Sequence, residues 1–430
     1  MRYKKIDPSL FINNRAKLVQ HLKPNALVVL NANDIMPTNG DGVMPFCQNS
    51  DLFYLSGIDQ EETILLLYPD APKAAWRELL FVTKTNAQRM RWEGQKHTQA
   101  TASDTAGIAQ VHWLEEFPAL FHTLMGQATH IYLNSNEHTR AVVEVQTRDA
   151  RFTEWCQQKY PLHTYERLAP IMHHLRAVKT APEIALIKQA CAITEQGFRT
   201  LLPHIKPGVM EYALEGVLIG EFIRHGAKGF AYPPIVASGA NACVLHYTAN
   251  DQPCQAGDTI LLDVGATYAH YKADLTRVVP VSGRFTPRQR AVYTAVLRVM
   301  RQAQQLLVPG NTLDTYHQQV GEVVTHELVG LGLLDSTDIK KQTPKNPAYK
   351  KYFMHGTSHH LGLDTHDVGD VHRKLVPGMV FTIEPGIYIP EEGLGIRLEN
   401  DFVLREDGLE DLMATIPLEV EEIEALMHTS

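Results

Sequence analysis

The chain has 430 residues, 44% of them hydrophobic and 20% charged, with a formal net charge of −8. That is the composition of an ordinary soluble globular protein, and the length exceeds what one hydrophobic core usually serves, so two domains are expected. The negative balance and the lack of a long basic run argue against nucleic acid or an anionic membrane as partner, and no apolar stretch reaches the length of a signal peptide or a membrane span.

Three buried strands are expected early in the chain, at Ala26 to Asn31, Thr63 to Tyr68 and Glu78 to Val82. They alternate with helical segments, which predicts an α/β layer in domain 1–173. Thr180-Ala181-Pro182-Glu183 has the form of a capping box, with Thr180 as N-cap and Glu183 reaching back. The helix it opens, with Ile184, Ile187, Cys191, Phe198 and Leu201 at helical spacing, begins a second domain, 174–430. A further helix from about Glu211 carries Leu214, Leu218 and Phe222 on one face and stops at His225-Gly226. Strands are then expected over Thr259 to Gly265 and Tyr271 to Val281 and, after more helices, over Met379 to Ile389 and Ile396 to Leu404. Helices followed by antiparallel hairpins, twice over, describe an α+β domain around a curved sheet. The five cysteines (Cys47, Cys156, Cys191, Cys243, Cys254) are scattered without CxxC spacing, which reads as reduced thiols in a cytoplasmic protein and makes them poor metal ligands. Cys243 is expected to be a small buried thiol.

The chemistry concentrates in the second domain. Asp263 interrupts the apolar run Ile260-Leu261-Leu262-Asp263-Val264-Gly265, where a carboxylate costs several kcal/mol unless it is paired or metal-bound. Asp274 lies on the strand that follows, and the short link from Ala266 to His270 makes the two strands a hairpin that can set the carboxylates face to face. A shared cation resolves their repulsion; the alternative is a solvated Asp274 and an Asp263 paired with Arg277. Glu384 sits in a second apolar strand, Phe381-Thr382-Ile383-Glu384-Pro385-Gly386. In Ile396-Arg397-Leu398-Glu399-Asn400 the alternation puts Arg397 and Glu399 on one face. The structural alternatives are a strand entering a turn at Glu384-Pro385 and a wet strand face at Arg397 and Glu399. Between these halves, His355, His359, His360 and His366 fall within twelve residues rich in glycine, a pattern that presents imidazoles to a cation or a reacting carbonyl. His246, in Val244-Leu245-His246-Tyr247, is readable either way.

The order of these pieces resembles the pita-bread metallopeptidases. The contexts Leu262-Asp263-Val264-Gly265, Ala273-Asp274-Leu275-Thr276-Arg277, His355-Gly356-Thr357-Ser358-His359, Thr382-Ile383-Glu384-Pro385-Gly386 and Gly395-Ile396-Arg397-Leu398-Glu399-Asn400 are all similar to that family. The segment from His355 to Asp367 is most similar to bacterial aminopeptidase P. Gln48-Asn49-Ser50-Asp51-Leu52-Phe53-Tyr54-Leu55-Ser56-Gly57 is similar to the signature of the aminopeptidase P N-terminal domain. The chain is therefore identified as a member of the Xaa-Pro aminopeptidase family, with a C-terminal pita-bread fold preceded by an α/β domain. The resemblance implies two divalent metal ions, manganese by the hardness of the ligands or else zinc, cobalt or iron, held by Asp263, Asp274, His359, Glu384 and Glu399. It implies a metal-bridging hydroxide that attacks the bond between an N-terminal residue and a following proline, with Glu384 as proton shuttle. By the same resemblance His246 and His366 orient the substrate and stabilise the tetrahedral intermediate, and His355 helps to form the proline pocket. Arg397 either lines that pocket or fixes Glu399; Tyr232 and Tyr388 are candidates for substrate contact or else core aromatics. Asp41 and Trp92 resemble residues that reach a neighbouring active site in tetrameric relatives, which implies a homo-oligomer, dimer or tetramer, although Asn39-Gly40-Asp41-Gly42 also suits a surface turn. Two rivals remain, a prolidase confined to Xaa-Pro dipeptides and a non-catalytic peptide-binding module of the same fold. His360 stands where an aromatic residue is common in the family, and either reshapes a wall or adds a titrating group.

Overall fold

The computed structural model describes residues 2–141 and 144–428. Chain contacts divide the protein into one compact unit of residues 4–176 and another that holds residues 177 onward together with the first three residues. Among the described residues no helix is long and apolar enough to cross a membrane.

The 4–176 unit is built on a six-stranded mixed sheet of β1 (Ala26–Asn31), β2 (Ile64–Leu67), β3 (Glu78–Val82), β4 (Val111–Trp113), β5 (His130–Leu133) and β6 (Thr164–Arg167), in the order β4-β3-β2-β1-β5-β6. β2 runs antiparallel to both β1 and β3, and the remaining neighbours are parallel. Every residue of β1 and β2 is buried, as their uninterrupted apolar runs require of strands covered on both faces. The segment Gln48 to Gly57 is a capped helix: the Asn49 side chain accepts from the amides of Asp51 and Leu52, and Gly57 ends the helix at a φ of 68°. The Gln48 side chain donates to the carbonyls of Ile58 and Gln60, fastening the segment that follows.

In the second unit the helix Ala181–Leu201 opens on the expected box, with Glu183 accepting from the Thr180 amide at 2.8 Å. The helix Glu211–Arg224 follows it and ends before Gly226, whose φ is 87°. Strands β7 (Gly229–Phe230), β8 (Ile235–Ser238), β9 (Thr259–Val264), β10 (Ala266–Tyr268), β11 (Tyr271–Lys272) and β12 (Leu275–Pro280) come next. Helices Pro287–Leu306 and Leu313–Gly330 then precede β13 (Val380–Ile383), β14 (Gly386–Ile389), β15 (Leu394–Arg397), β16 (Asn400–Arg405) and β17 (Gly408–Asp411). The order of helices followed by hairpins thus occurs twice.

Three of the four long strands expected from the sequence are interrupted. The Thr259–Gly265 run forms as β9 and ends at Val264, where Gly265 parts it from β10, and the Tyr271–Val281 run breaks at Ala273-Asp274. The other two break at Glu384-Pro385 and at Leu398-Glu399. Asp274 therefore lies in a gap between strands and not on one. Apolar periodicity reads straight through these gaps because the flanking residues are buried on either side, whereas the break is set by the partner strand. At the first break the backbones are so close that a Cβ on Gly265 would stand 1.8 Å from the Ala273 carbonyl oxygen. Below that bend β9 and β12 pair antiparallel, with Asp263 opposite Thr276, and an isolated bridge joins Thr276 to Glu399. One short contact thus stitches the first hairpin to the second. Replacing Gly265 with Ala should force the two strands apart and cost about 3 kcal/mol. This is measurable as a lower urea midpoint by circular dichroism.

Candidate metal centre

Three of the four breaks carry an acidic residue, and the β13 break is aligned by the histidine-rich loop. The Thr382 amide donates to the His359 carbonyl at 3.1 Å, the Glu384 amide donates to the Thr357 carbonyl at 2.8 Å, and the Ser358 hydroxyl donates to the Thr382 carbonyl at 2.6 Å. The loop is in effect an extra strand laid along β13. That pairing puts His359 beside Glu384, with Nε2 3.6 Å from Oε1.

His359 Nε2 also lies 3.6 Å from Asp274 Oδ2. Ligand-type atoms of Asp274, His359 and Glu399 all fall within 4.8 Å of one another, and all three residues are buried. Asp263 joins through the Tyr232 hydroxyl, which reaches Asp263 Oδ1 at 2.6 Å and Asp274 Oδ1 at 2.5 Å. The other Asp263 oxygen accepts from Arg397 Nη2 at 2.5 Å. The cation that pairs with Asp263 is therefore Arg397 and not Arg277. Arg277 is fully buried and spends its guanidinium on the carbonyls of Pro417, Thr276 and Glu399 and on the Asn400 side chain. Arg397 and Glu399 share a face as the alternation requires, but the face is dry, at 4% and 2% exposure. They meet at Thr276, whose hydroxyl donates to Glu399 Oε2 at 2.5 Å and accepts from Arg397 Nε at 3.2 Å.

The electrostatics follow from burying so many carboxylates together. Burial pushes Glu384 up to about 7, against the opposing pull of His359 and Arg397. Burial, with the Asp263 charge added, raises Asp274 well above the carboxylate range, and burial with the charges of Asp274, Glu384 and Asp263 does the same to Glu399. Burial and the same carboxylates raise the Tyr232 phenol. In the metal-free protein, protons and one guanidinium do the neutralising that a cation would do better. His359 is prepared for such a cation, because its Nδ1–H donates to the His360 carbonyl at 2.9 Å and leaves the Nε2 lone pair facing the carboxylates.

The other histidines divide by environment. His366 packs edge-on against His359, with ring centroids 4.5 Å apart. His355 Nδ1 donates to the Gly356 carbonyl at 2.8 Å, and its Nε2 meets the Tyr388 hydroxyl at 2.7 Å. Burial and the Arg397 charge push His355 down to about 3, so it is neutral and accepts from Tyr388. Arg397 Nη1 donates in turn to Tyr388 at 2.8 Å. Tyr388 is thus both a buried aromatic and a polar link between two site residues. His246 is exposed, close enough to His355 for its charge to act there. His360 points elsewhere, packs on Phe381 with centroids 4.5 Å apart, and is held down to about 3 by burial. It fills a wall and adds no titration near neutrality. Cys243, expected to be buried, is half-buried. Asp41 and Trp92 belong to the 4–176 unit. Asp41 is exposed at a turn closed by the Met44 amide on the Met36 carbonyl, and Trp92 is 84% exposed.

Sequence reasoning overlooked Thr276 and Asp401. Asp401 Oδ2 accepts from the Asp274 amide at 3.0 Å and from Cys191 Sγ at 3.4 Å, bracing a site carboxylate from behind. The alternation that flagged Glu399 continues to Asp401, so a signal was present.

The pattern of metallopeptidase family M24 matches residues 185–406, and that of the aminopeptidase P N-terminal domain matches residues 11–132. The Xaa-Pro aminopeptidase of Escherichia coli is 34% identical, with 97% of each chain covered. The Xaa-Pro aminopeptidase of Haemophilus influenzae is 33% identical, covering 99% of this chain and 98% of its own. Among solved structures, Pseudomonas aeruginosa aminopeptidase PepP superposes with a TM-score of 0.90 at 32% identity, covering 99% of both chains. An alanine variant of Escherichia coli aminopeptidase P in complex with substrate superposes with a TM-score of 0.88 at 33% identity, again covering 99% of both.

A pH dependence follows. Glu384 binds a proton up to about pH 7 in the folded metal-free protein but only to about 4.5 when unfolded. The folded state therefore holds more protons between these values, and stability falls as pH rises through that window, by on the order of 3 kcal/mol. Denaturant titrations of metal-free wild type at pH 5 and pH 8 should show this loss. Glu384→Gln should remove its share of the loss while Asp274 and Glu399 keep theirs, and added manganese should restore stability at pH 8.

Proposed function

The chain belongs to metallopeptidase family M24, in its Xaa-Pro aminopeptidase (aminopeptidase P) branch, and we propose from that premise that it removes the first residue from peptides whose second residue is proline, with two divalent cations at the carboxylate site. The observation that carries this reading is the convergence of Asp274, His359 and Glu399 within 4.8 Å, flanked by Glu384 and Asp263. These five residues would hold the cations. The donor set fits, since four carboxylates and one imidazole suit manganese, with zinc, cobalt or iron as alternatives. Bound there, such ions supply Lewis acidity and a water that ionises near neutral pH.

The chain's own residues do the remaining work. Glu384, beside His359, takes the proton of the attacking water and delivers it to the prolyl nitrogen as the amide breaks. The X–Pro amide is tertiary and offers no N–H, so the proline ring has to be recognised by shape. The neutral His355 ring, set edge-on to Phe353 at 4.7 Å, offers an apolar wall for it. His246 and His366 donate to the charge that develops on the carbonyl oxygen. Arg397, tied to Asp263, Thr276 and Tyr388, holds the carboxylate pocket to the proline wall.

Five free cysteines accord with a cytoplasmic protein. An exposed Trp92 and the Asp41 turn suit contacts in a homo-oligomer, in which Asp41 would meet a substrate's amino terminus.

Manganese-loaded enzyme should convert Ala-Pro-Ala to alanine and Pro-Ala while leaving Ala-Ala-Ala intact, with products identified by mass. Metal removal should abolish the reaction, and Glu384→Gln should slow it about a thousandfold. Cleavage of Ala-Pro alone would make the protein a prolidase. No cleavage of any peptide with metal demonstrably bound would leave a peptide-binding module.

A further inference from the structure

Glu211 is completely buried, yet it touches none of the residues assigned above to the reaction. It is the first residue of the helix Glu211–Arg224, where the helix dipole favours an anion. Its carboxylate accepts five hydrogen bonds. Oε1 takes the Ser238 amide and hydroxyl, both at 2.7 Å, and the Asn241 side chain at 3.2 Å. Oε2 takes the Tyr247 hydroxyl at 2.7 Å and the Gln252 amide at 3.0 Å. The Glu211 amide in turn donates to the Gln252 carbonyl at 3.0 Å.

All five donors lie in one segment, 238–252, at its start, middle and end. Between Ser238, the last residue of β8, and the start of β9, the regular structure among the described residues is the short 3-10 turn Gly239–Cys243. Asn250 ties the far end of the segment to Val236, Pro234 and Glu215, and the Glu211 carboxylate gathers its start, middle and end. A carboxyl group this deep is tolerated only because its lone pairs are filled, and each donor lost would leave an acceptor unpaired at a cost. His246 sits in the middle of the segment, next to Tyr247. Among the described residues no hydrogen bond is made by the His246 ring itself, so the position of the imidazole is inherited from the backbone that carries it.

We propose that Glu211 is the positioning residue for His246: its carboxylate clamps segment 238–252 and, through Tyr247, holds the neighbouring imidazole at the substrate side of the carboxylate pocket. The inference rests on the peptidase reading for the role of His246, but the clamp itself can be measured without it. Tyr247→Phe removes the bond to Glu211, together with a longer one to Asp251 at 3.3 Å, and leaves the ring in place, whereas Glu211→Gln keeps one acceptor oxygen and turns the other into an amide that faces donors.

Hydrogen exchange followed by mass spectrometry on the full-length metal-loaded protein should show amides 239–250 exchanging about tenfold faster in Tyr247→Phe, with the rest of the chain unchanged. Unchanged exchange there would overturn the clamp, whether or not any peptide is cleaved. With Ala-Pro-Ala as substrate, Tyr247→Phe should lower kcat about fivefold at unaltered manganese content and nearly unaltered KM. The same change in a His246→Ala background should have almost no further effect. An equal fivefold loss in both backgrounds, or no loss in the single variant, would overturn the positioning role. Glu211→Gln should exceed Tyr247→Phe in both readouts. If it fails to fold, the Tyr247→Phe and His246→Ala cycle decides alone. A wild type that binds manganese but cleaves nothing would sink the peptidase reading and leave the exchange result to judge the clamp.

Discussion

Asp263, Asp274, Glu384 and Glu399 occupy one pocket, and among the described residues Arg397 is the cation hydrogen-bonded into it. Like charges at such spacing repel strongly in a medium that water does not screen. The metal-free protein meets that repulsion by raising proton affinities at Asp274, Glu384 and Glu399 and by placing the Tyr232 hydroxyl between two aspartates. The pocket is thus built around a deficit of positive charge, and most of the second unit serves to hold it in that unfavourable arrangement.

The holding is done mainly by backbone. The breaks at Gly265, Asp274, Glu384 and Glu399 turn two long hairpins into bent ones, and three of these bends exempt a carboxylate from the sheet ladder, whereas Asp263 stays in it. The ladders on either side fix position, as with Thr276 opposite Asp263 and the Thr276–Glu399 bridge. The loop beside β13 does the same for His359 and Glu384. A carboxylate held this way cannot retreat into solvent, because moving it means unzipping paired strands.

A second ring of buried polar groups supports the first. Arg277 satisfies carbonyls from both hairpins, Asp401 braces the Asp274 amide, and Glu211 gathers the segment that carries His246. None of these is expected to touch a substrate. Each occupies an interior position where an apolar residue would pack at lower cost, so each spends stability on geometry. The neutral His355 and the Tyr388 hydroxyl extend the same network to the wall opposite the carboxylates.

Sequence alone was enough for the family and for the fold class, because local contexts such as Leu262-Asp263-Val264-Gly265 and the segment from His355 to Asp367 are contiguous and chemically unusual. A carboxylate in an apolar run is conspicuous in one dimension, and so is a capped helix such as the one opened by Thr180 and Glu183. The break at Glu384-Pro385 stood only as an alternative and the others were not legible: a residue at a bend and a residue in a strand can be equally buried, and only the neighbouring backbone, 1.8 Å from an imagined Cβ on Gly265, tells them apart. Arg277, offered as the alternative partner of Asp263, gives way to Arg397 for a similar reason. Arg277 is near it in sequence, but Arg397 arrives from the other half of the domain, 134 residues away. Whether Arg397 and Glu399 formed a wet face or a dry one depended on what covers them, which alternation cannot encode. Local residue order determined which groups could do the chemistry. The pairing of distant strands decided their distances, their burial and therefore their charge, because those quantities depend on neighbours that the chain brings together only when folded.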